Sequence, residues 1–468
     1  MPRNVAAELP VVLDRAAGAA LPQQLADGLR DRVRTGELRP GWRLPSTRDL
    51  ARQLRVSRAV VQAAYDQLHA EGWLVSRVGA GTYAAEVGTH SGDGRPRGRA
   101  TSRTPARPPD PGRRISLEPG VPWTEPVPTA TWRRAWREVS AATPPPGYPD
   151  PAGLPELRAV VAEHLGRVRG IACSPDEVLV TAGTSHGLRL LLGAGFRPGA
   201  RVGVEDPGYA AAVRCVRAAG MGVLDCPVDA DGLVVAALPA RRAPAAVYVT
   251  PAHQYPSGGR LPAARRQALV DWARRHDVLV VEDDYDGEFR YDVAPLPALA
   301  QLDRGNVVYL GTASKTIGPA LRVGWLVAEA HVVRTIARHR ASIGDLPPWP
   351  AQRALVALFR DGHLDHAVKR ARRRYAERRR LVCDVLAPYG TVAGSDAGMH
   401  VTLLLPEGTD DGAVRRAAAA AGVDVGALSD LRRTSRGPSG LVVGYGSCAD
   451  TELARGLRVL AEALEPKG

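Results

Sequence analysis

Lys315 is one of only three lysines, with Lys369 and Lys467, in a chain that holds 62 basic residues. It stands in Gly311-Thr312-Ala313-Ser314-Lys315-Thr316, directly after the apolar run Val307-Val308-Tyr309-Leu310, where a parallel strand would end and a loop begin. An arginine there would supply charge but no Schiff base, which needs an amine that burial can bring to deprotonation. Asp283 and Tyr285 in Glu282-Asp283-Asp284-Tyr285 put a carboxylate and a phenol at the end of a second apolar run, residues 278–281. Thr184 and Ser185, in Thr181-Ala182-Gly183-Thr184-Ser185-His186-Gly187, follow a third run and open a helix, whose free amides suit an anion. Thr312, Ser314 and Arg322 add hydroxyls and a guanidinium, and Tyr209 in Asp206-Pro207-Gly208-Tyr209 offers an aromatic face. Singly these read as a surface lysine, an acidic loop and an ordinary helix cap. Together they match what pyridoxal phosphate requires: a lysine for the aldehyde, a carboxylate for the pyridinium, a phenol for the ring oxygen, a stacking ring and a phosphate cup.

The elements that must hold them are legible as alternation. Short apolar runs at 178–180, 200–204, 246–249, 278–281, 307–310 and 323–327 are separated by helical stretches such as 261–276, which predicts an α/β domain around a mainly parallel sheet. Ligands in such sheets gather at the carboxyl ends of the strands. From Val332 the pattern turns helical and arginine-rich, with Lys369-Arg370-Ala371-Arg372 opening the densest stretch, and strands return near 401–405 and 441–443. That predicts a small closing subdomain from about 335 to 468, within a cofactor domain of 115–468.

The first part of the chain has a different grammar. Ser46 precedes a helix with Leu50, Ala51 and Leu54 at helical spacing, and Ser57 begins a second with Val60, Val61, Ala64 and Leu68 inward. Two short helices about so tight a turn predict a helix-turn-helix that presents Arg58 to the major groove. Strand-like pieces joined by glycines, residues 72–83, predict a wing. The module is assigned to 15–87, and 88–114, rich in Gly, Pro, Ser and seven arginines, reads as a disordered linker. Residues 1–114 carry 19 Arg against 11 Asp or Glu, so +8 of the net charge of +13 sits in the first quarter, which suits a polyanion. The 45% hydrophobic content contains no run long enough to span a membrane, and the start, Met1-Pro2-Arg3-Asn4, has no signal-peptide core. A cytoplasmic protein is expected. Five scattered cysteines with no C-x-x-C pair predict neither a disulfide frame nor a zinc site, and no metal is expected.

Residues 37–83 (ELRPGWRLPSTRDLARQLRVSRAVVQAAYDQLHAEGWLVSRVGAGTY) resemble the winged helix of the GntR regulators almost throughout. Arg55 departs, standing where that family has glycine in the turn; a left-handed arginine there costs on the order of 1 kcal/mol. The resemblance implies that Arg48, Ser57 and Arg58, with Arg77, Gly79 and Gly81 of the wing, meet double-stranded promoter DNA.

The remaining motifs, taken in order, resemble the fold-type I aminotransferases and in detail the MocR subfamily, which joins a GntR winged helix to such a domain. The implied fold class is α/β: an N-terminal winged helix-turn-helix, then a pyridoxal phosphate-dependent aminotransferase-like domain with a small subdomain. By the same resemblance Tyr148, in Gly147-Tyr148-Pro149-Asp150-Pro151, reaches the phosphate of a neighbouring subunit, which implies a domain-swapped homodimer. Two departures bear on function. Tyr255, in His253-Gln254-Tyr255-Pro256, replaces the asparagine that bonds the ring oxygen in working aminotransferases. Leu441 stands about where such enzymes keep a carboxylate-clamping arginine, with Arg432, Arg433 and Arg436 nearby. In the branch that senses γ-aminobutyrate an arginine follows the stacking tyrosine by two positions; here that position is Ala211. The resemblance thus implies a regulator whose effector is pyridoxal phosphate or its adduct with a small amino acid, and whose target is pyridoxal phosphate synthesis. The alternative is an aminotransferase with an appended DNA-binding module, which steady turnover of amino donor and keto acid would reveal.

Overall fold

The computed structural model describes residues 11, 13–14, 19–35, 37–77, 81–85, 114–123, 127–291, 296–360, 362–394, 397–434 and 437–465. The first unit comprises α1 (Leu21–Thr35), α2 (Thr47–Leu54), α3 (Arg58–Ala70), β1 (Leu74–Arg77) and β2 (Gly81–Ala84). Ser46 caps α2 by accepting from the Asp49 amide at 3.2 Å, and Ser57 caps α3 by accepting from the Val60 amide at 3.4 Å. Arg55 ends α2 in the left-handed conformation, φ 52°, with its N–H turned back on the helix carbonyls. The strain is tolerated because the turn lets Leu50, Val61, Ala64 and Leu68 share one core with Leu25 and Leu29 of α1. Val60, expected inside, is half-buried. β1 and β2 pair antiparallel with Arg77 opposite Gly81, which makes the wing. The linker lies almost wholly outside the described residues; its last residue, Arg114, bonds Asp424 at 2.8 Å.

The larger unit starts with β3 (Ile115–Leu117), α4 (Thr129–Ala141) and α5 (Pro155–Arg169). It continues through β4 (Val178–Thr181), α6 (Thr184–Gly195), β5 (Arg201–Asp206), α7 (Ala210–Ala218), β6 (Gly222–Asp229) and β7 (Gly232–Leu233). Next come β8 (Ala246–Val249), α8 (Ala263–His276), β9 (Leu279–Asp284), β10 (Val307–Thr312) and β11 (Gly324–Val327). The strands form one sheet in the order β4-β11-β10-β9-β8-β5-β6-β7. The run from β10 to β6 is parallel, whereas β11 is antiparallel to both neighbours and β7 to β6. Successive side chains alternate between two cores, Val178, Val180 and Val280 on one face and Leu179, Val204 and Val281 on the other. Helices cover both faces, which is why these strands read as unbroken apolar runs. β6 and β7 were not legible that way, because β6 is only partly buried and interleaves Asp and Pro with its apolar residues.

α9 (Ala330–Ser342) and α10 (Trp349–Arg360) differ from the expectation of a small subdomain starting near 335. Val333 and Ile336 pack with Leu188 and Leu191, and Leu355 and Leu358 with Leu157 and Trp325, so both helices complete the large sheet's cores. A separate core begins within α11 (His363–Leu386), at Ala371 and Tyr375. It lies under a sheet of β12 (Thr391–Ala393), β13 (His400–Leu404), β14 (Val423–Ala427) and β15 (Gly440–Gly444), with α12 (Asp411–Ala420) and α13 (Asp450–Leu464). Its order is β12-β13-β15-β14-β3, so the edge strand comes from the chain's other end: Ile115 pairs with Val423 in parallel. Three residues beside a Pro- and Arg-rich segment carry too little periodicity to announce such a strand.

Candidate cofactor and DNA-binding sites

The carboxyl ends of β4, β8, β9 and β10 open into a cavity of about 260 Å³. Because β9 runs beside β10 and ends with Asp283 and Asp284, its carboxylates arrive beside the loop that carries Lys315. Lys315 Nζ donates to the carbonyl of Gly120, and burial lowers the amine's pKa below its ordinary value, against the pull of Asp286 and Asp283. This is the condition under which a lysine becomes a nucleophile.

Asp283 is buried, and the Tyr248 hydroxyl donates to its Oδ2. Its Oδ1 has no partner. Burial pushes this carboxyl up to about 7, with the Tyr248 and Thr184 hydroxyls drawing it back. A buried acceptor left bare costs about 1–3 kcal/mol, and a pyridinium N–H is a cationic donor that would satisfy it and hold the carboxylate ionised. The residues present therefore fit pyridoxal phosphate.

At one end α6 begins at Thr184 after Gly183, whose φ of 111° suits glycine. A Cβ on Gly183 would lie 3.6 Å from Arg322 Nη1 and 3.7 Å from Thr312 Oγ1, so guanidinium, hydroxyl and helix N-terminus converge there. Thr312 Oγ1 donates to Ser314 Oγ at 2.9 Å and accepts from the Ser314 amide at 3.1 Å. Ser185 Oγ lies 3.3 Å from the Tyr209 hydroxyl. Amides, hydroxyls and a guanidinium make a cup for a phosphate dianion. Tyr209 and Tyr255 stand edge to face at 5.9 Å, and Tyr255 meets Tyr285 likewise at 6.1 Å, so aromatic rings wall the remainder. Burial raises the pKa of all three phenols, which keeps them donors.

The structure thus brings together Lys315, Asp283, Tyr285, Tyr209, Tyr255 and the cup residues Thr184, Ser185, Thr312, Ser314 and Arg322 around one cavity. Tyr148 is elsewhere, 93% exposed. Among the lining residues that escaped the sequence reading are Tyr248, Thr250 and Gly120. Tyr248 was readable only as part of an apolar run, although a phenol buried in a strand must find a partner. Arg432 bonds the carbonyls of Gly437 and Pro438. Arg433 bonds Asp225 and the carbonyl of Glu205, the latter at 2.8 Å. Arg436 lies outside the described residues. Among the described residues that line the cavity, Arg322 is the sole arginine.

In the first unit Arg48 and Arg58 are exposed, with Arg58 Nε 3.3 Å from Thr47 Oγ1, so the N-terminus of α3 abuts that of α2. Gly81 packs against the Arg43 side chain, whereas Gly79 lies outside the described residues. The unit rests on its own chain: Gly72, φ 77°, sits against Pro262 and Ala263 at the start of α8. No helix among the described residues is long and apolar enough to cross a membrane.

Residues 118–436 match the family described as "Aminotransferase class I and II", and residues 21–84 match "Bacterial regulatory proteins, gntR family". The chain is 38% identical over 460 residues to the HTH-type pyridoxine biosynthesis transcriptional regulator PdxR of Corynebacterium glutamicum, covering 98% of this chain and 99% of that protein. It is 33% identical over 474 residues to the "Probable rhizopine catabolism regulatory protein MocR" of Rhizobium meliloti, covering 97% and 95%. Among solved structures, an archaeal alanine:glyoxylate aminotransferase superposes with a TM-score of 0.71 at 27% identity, over 76% of this chain and 92% of that one. The α-aminoadipate aminotransferase LysN of Thermus thermophilus gives 0.69 at 27% identity, over 75% and 92%.

Proposed function

The chain belongs to the MocR subfamily of GntR regulators, which bind DNA and pyridoxal phosphate, and from that premise we propose that pyridoxal phosphate is itself the signal and its synthesis the controlled process. The observation that carries this reading is the cavity's charge. Arg322 is its sole arginine among the described lining residues, and it sits in the phosphate cup. A small amino acid would need a second guanidinium for its carboxylate, a charge-assisted contact of about 1.5–3 kcal/mol. By the resemblance Ala211 stands where relatives of other specificity place one; Leu441 is buried in the small subdomain's core, and Arg432 and Arg433 are committed to other partners. The relative that is 38% identical is named for pyridoxine biosynthesis, in line with this target.

Bound pyridoxal phosphate supplies an aldehyde that condenses with an amine and a ring that withdraws electrons. The chain holds it with Lys315 as Schiff-base partner, Asp283 at the pyridine nitrogen, Tyr285 at the ring oxygen and Tyr209 on the ring face. Tyr255 closes the wall, and Thr184, Ser185, Thr312, Ser314 and Arg322 take the phosphate. The DNA-binding domain is residues 15–87, which meets a promoter through Arg48, Ser57 and Arg58 in the major groove and through Arg77, Gly79 and Gly81 of the wing. The 88–114 linker joins it to the cofactor domain of 115–468. The protein acts in the cytoplasm as a homodimer, and the exposure of Tyr148 supports a dimer in which this loop reaches the partner's phosphate cup.

The test reads both ends of the protein at once. Cofactor-loaded protein is titrated with γ-aminobutyrate and other small amino acids while visible absorption and promoter footprint are recorded. Neither should change; an amino acid that shifts both would replace this reading with an amino-acid sensor.

A further inference from the structure

The turn between β4 and α6, which forms one wall of the phosphate cup, is pinned from behind by residues that none of the roles above uses. His186, on the first turn of α6, is buried. The Ala182 N–H donates to its Nδ1 at 2.8 Å, and its Nε2 lies 2.6 Å from Asp345 Oδ2. A backbone amide only donates and a carboxylate only accepts, so the ring has one assignment: a bare lone pair on Nδ1 and its single hydrogen on Nε2. His186 is therefore neutral here, and burial lowers its pKa against the pull of Asp345, with Arg340 and its own helix's Arg189 acting in the same direction as burial. Asp345 is ionised: burial raises its carboxyl, and the His186 N–H and Arg340 outweigh that and bring it below its ordinary value.

Asp345 is anchored in turn. Arg340 of α9, also buried, donates to the Asp345 carbonyl and to the Val180 carbonyl near the end of β4, and reaches the Pro151 carbonyl at 3.2 Å. The contacts close a ring that runs from the Val180 carbonyl through Arg340, Asp345 and His186 to the Ala182 amide. Backbone groups on either side of Thr181 are thus held from outside the turn, while the Thr181 hydroxyl bonds Gly183 within it, at 3.1 Å to the carbonyl and 3.3 Å to the amide.

An amide taken by His186 is one that does not serve the ligand. Those that follow it can, since Gly183, Thr184 and Ser185 line the cavity with Ala182 and His186 behind them. The Thr184 and Ser185 amides open α6 ahead of its own bonds, which begin where the His186 N–H donates to the Gly183 carbonyl at 3.1 Å. We infer that His186 is a positioning residue for the phosphate cup: by accepting the Ala182 amide on Nδ1 while Asp345 holds Nε2, it fixes the turn in the shape that aims the Thr184 and Ser185 amides at a phosphate. His186 touches no ligand atom in this arrangement and acts through the turn. The inference rests on the proposed seat of the phosphate in this cup.

The experiment compares two ligands on the cofactor-free full-length protein: pyridoxal phosphate, and deoxypyridoxal, the same aldehyde without its phosphate. Dissociation constants from titrations of visible absorption give the ratio by which the chain prefers the phosphorylated ligand. His186→Leu fills the same space without an acceptor and should cut that ratio by roughly two- to tenfold, the worth of one net hydrogen bond, with deoxypyridoxal affinity unchanged. His186→Asn, whose side-chain oxygen stands where Nδ1 does, should recover part of the preference, a rescue that mere packing would not produce. Should His186→Leu fail to fold, Asp345→Ala, which releases the ring but leaves it in place, should cut the ratio in its stead. Arg322→Leu removes a guanidinium from the cup itself and should cut the ratio as well. A ratio that falls in Arg322→Leu but in neither His186→Leu nor Asp345→Ala overturns the positioning role and leaves the seat of the phosphate standing. The role is equally overturned if His186→Leu weakens both ligands alike, or if His186→Asn recovers nothing. A ratio unmoved in Arg322→Leu overturns the proposed seat itself.

Discussion

The backbone N–H of Ala263 donates to the carbonyl of Glu71 at 2.8 Å, so the end of the second helix of the helix-turn-helix caps the start of α8. Glu71 is held from the other side as well: Arg30 of α1 bonds both its carboxylate oxygens at 2.8 Å, and Gln67 adds a bond at 2.7 Å. α8 is preceded by the loop that carries His253 and Tyr255, whose residues 251–262 run from the cofactor cavity to the winged helix. That loop therefore links the cofactor cavity to the DNA-binding unit through one short connection.

Gly72→Ala should weaken this seam. An added Cβ would lie 3.1 Å from the Ala263 nitrogen and 3.2 Å from Pro262 Cβ, at a φ of 77° that alanine adopts at a cost of about 1 kcal/mol. Limited proteolysis should cut the variant between its two units faster than wild type, with the cofactor spectrum unchanged. Equal cleavage rates would show that the seam does not hold the units together.

Reduction of the loaded protein with borohydride, followed by peptide mass mapping, should place the pyridoxyl group on Lys315, the lysine that the cavity encloses. A label on Lys369 would contradict the site, since that residue lies on α11, in the arginine-rich stretch.

Asp283 makes a pH-dependent prediction. Burial raises its carboxyl from the ordinary 3.8 to about 7. The folded state then holds this proton more tightly than the unfolded chain, so the group's contribution to stability is full at low pH and is lost as pH rises from about 4 toward 7. Asp283→Asn removes that loss. In cofactor-free protein the melting temperature of the variant relative to wild type should rise by a few degrees between pH 5 and pH 8, at ~1–2 °C per kcal/mol for a domain of this size. A difference that is flat across that range would place the native carboxyl near its ordinary value. Loaded with pyridoxal phosphate, the same variant should bind the cofactor more weakly, because the ring nitrogen loses its counter-charge.

Arg58→Ala should weaken promoter binding by roughly 1–3 kcal/mol if the side chain makes a bidentate base contact. Fluorescence titration at two salt concentrations reads this, and cofactor absorbance should be untouched. Unchanged affinity would leave Arg58 as a solvated helix residue.

The parts of this architecture that the sequence displays are those where one local rule decides the outcome. Ser46 and Ser57 announce helix starts because caps are local, and the buried parallel strands announce themselves because both faces are covered. Lys315, Asp283 and Tyr285 were legible because each sits where an apolar run stops. What stayed hidden depends on contacts between distant segments. β3 joins a sheet built some 300 residues later, as the Ile115–Val423 register shows. α9 and α10 look like the start of a new unit by composition, yet their apolar faces match Leu188 and Leu157 of the large one. Tyr248 was masked by its apolar neighbours, and the His253–Asp286 pair joins side chains 33 positions apart.

The claim that the occupant of the Lys315 cavity controls DNA binding is tested most directly by titrating a labelled promoter fragment with cofactor-free and cofactor-loaded protein, wild type and Lys315→Ala in parallel. The promoter affinities of the two wild-type forms should differ, and those of Lys315→Ala with and without pyridoxal phosphate should coincide. Identical affinities for the two wild-type forms would contradict it.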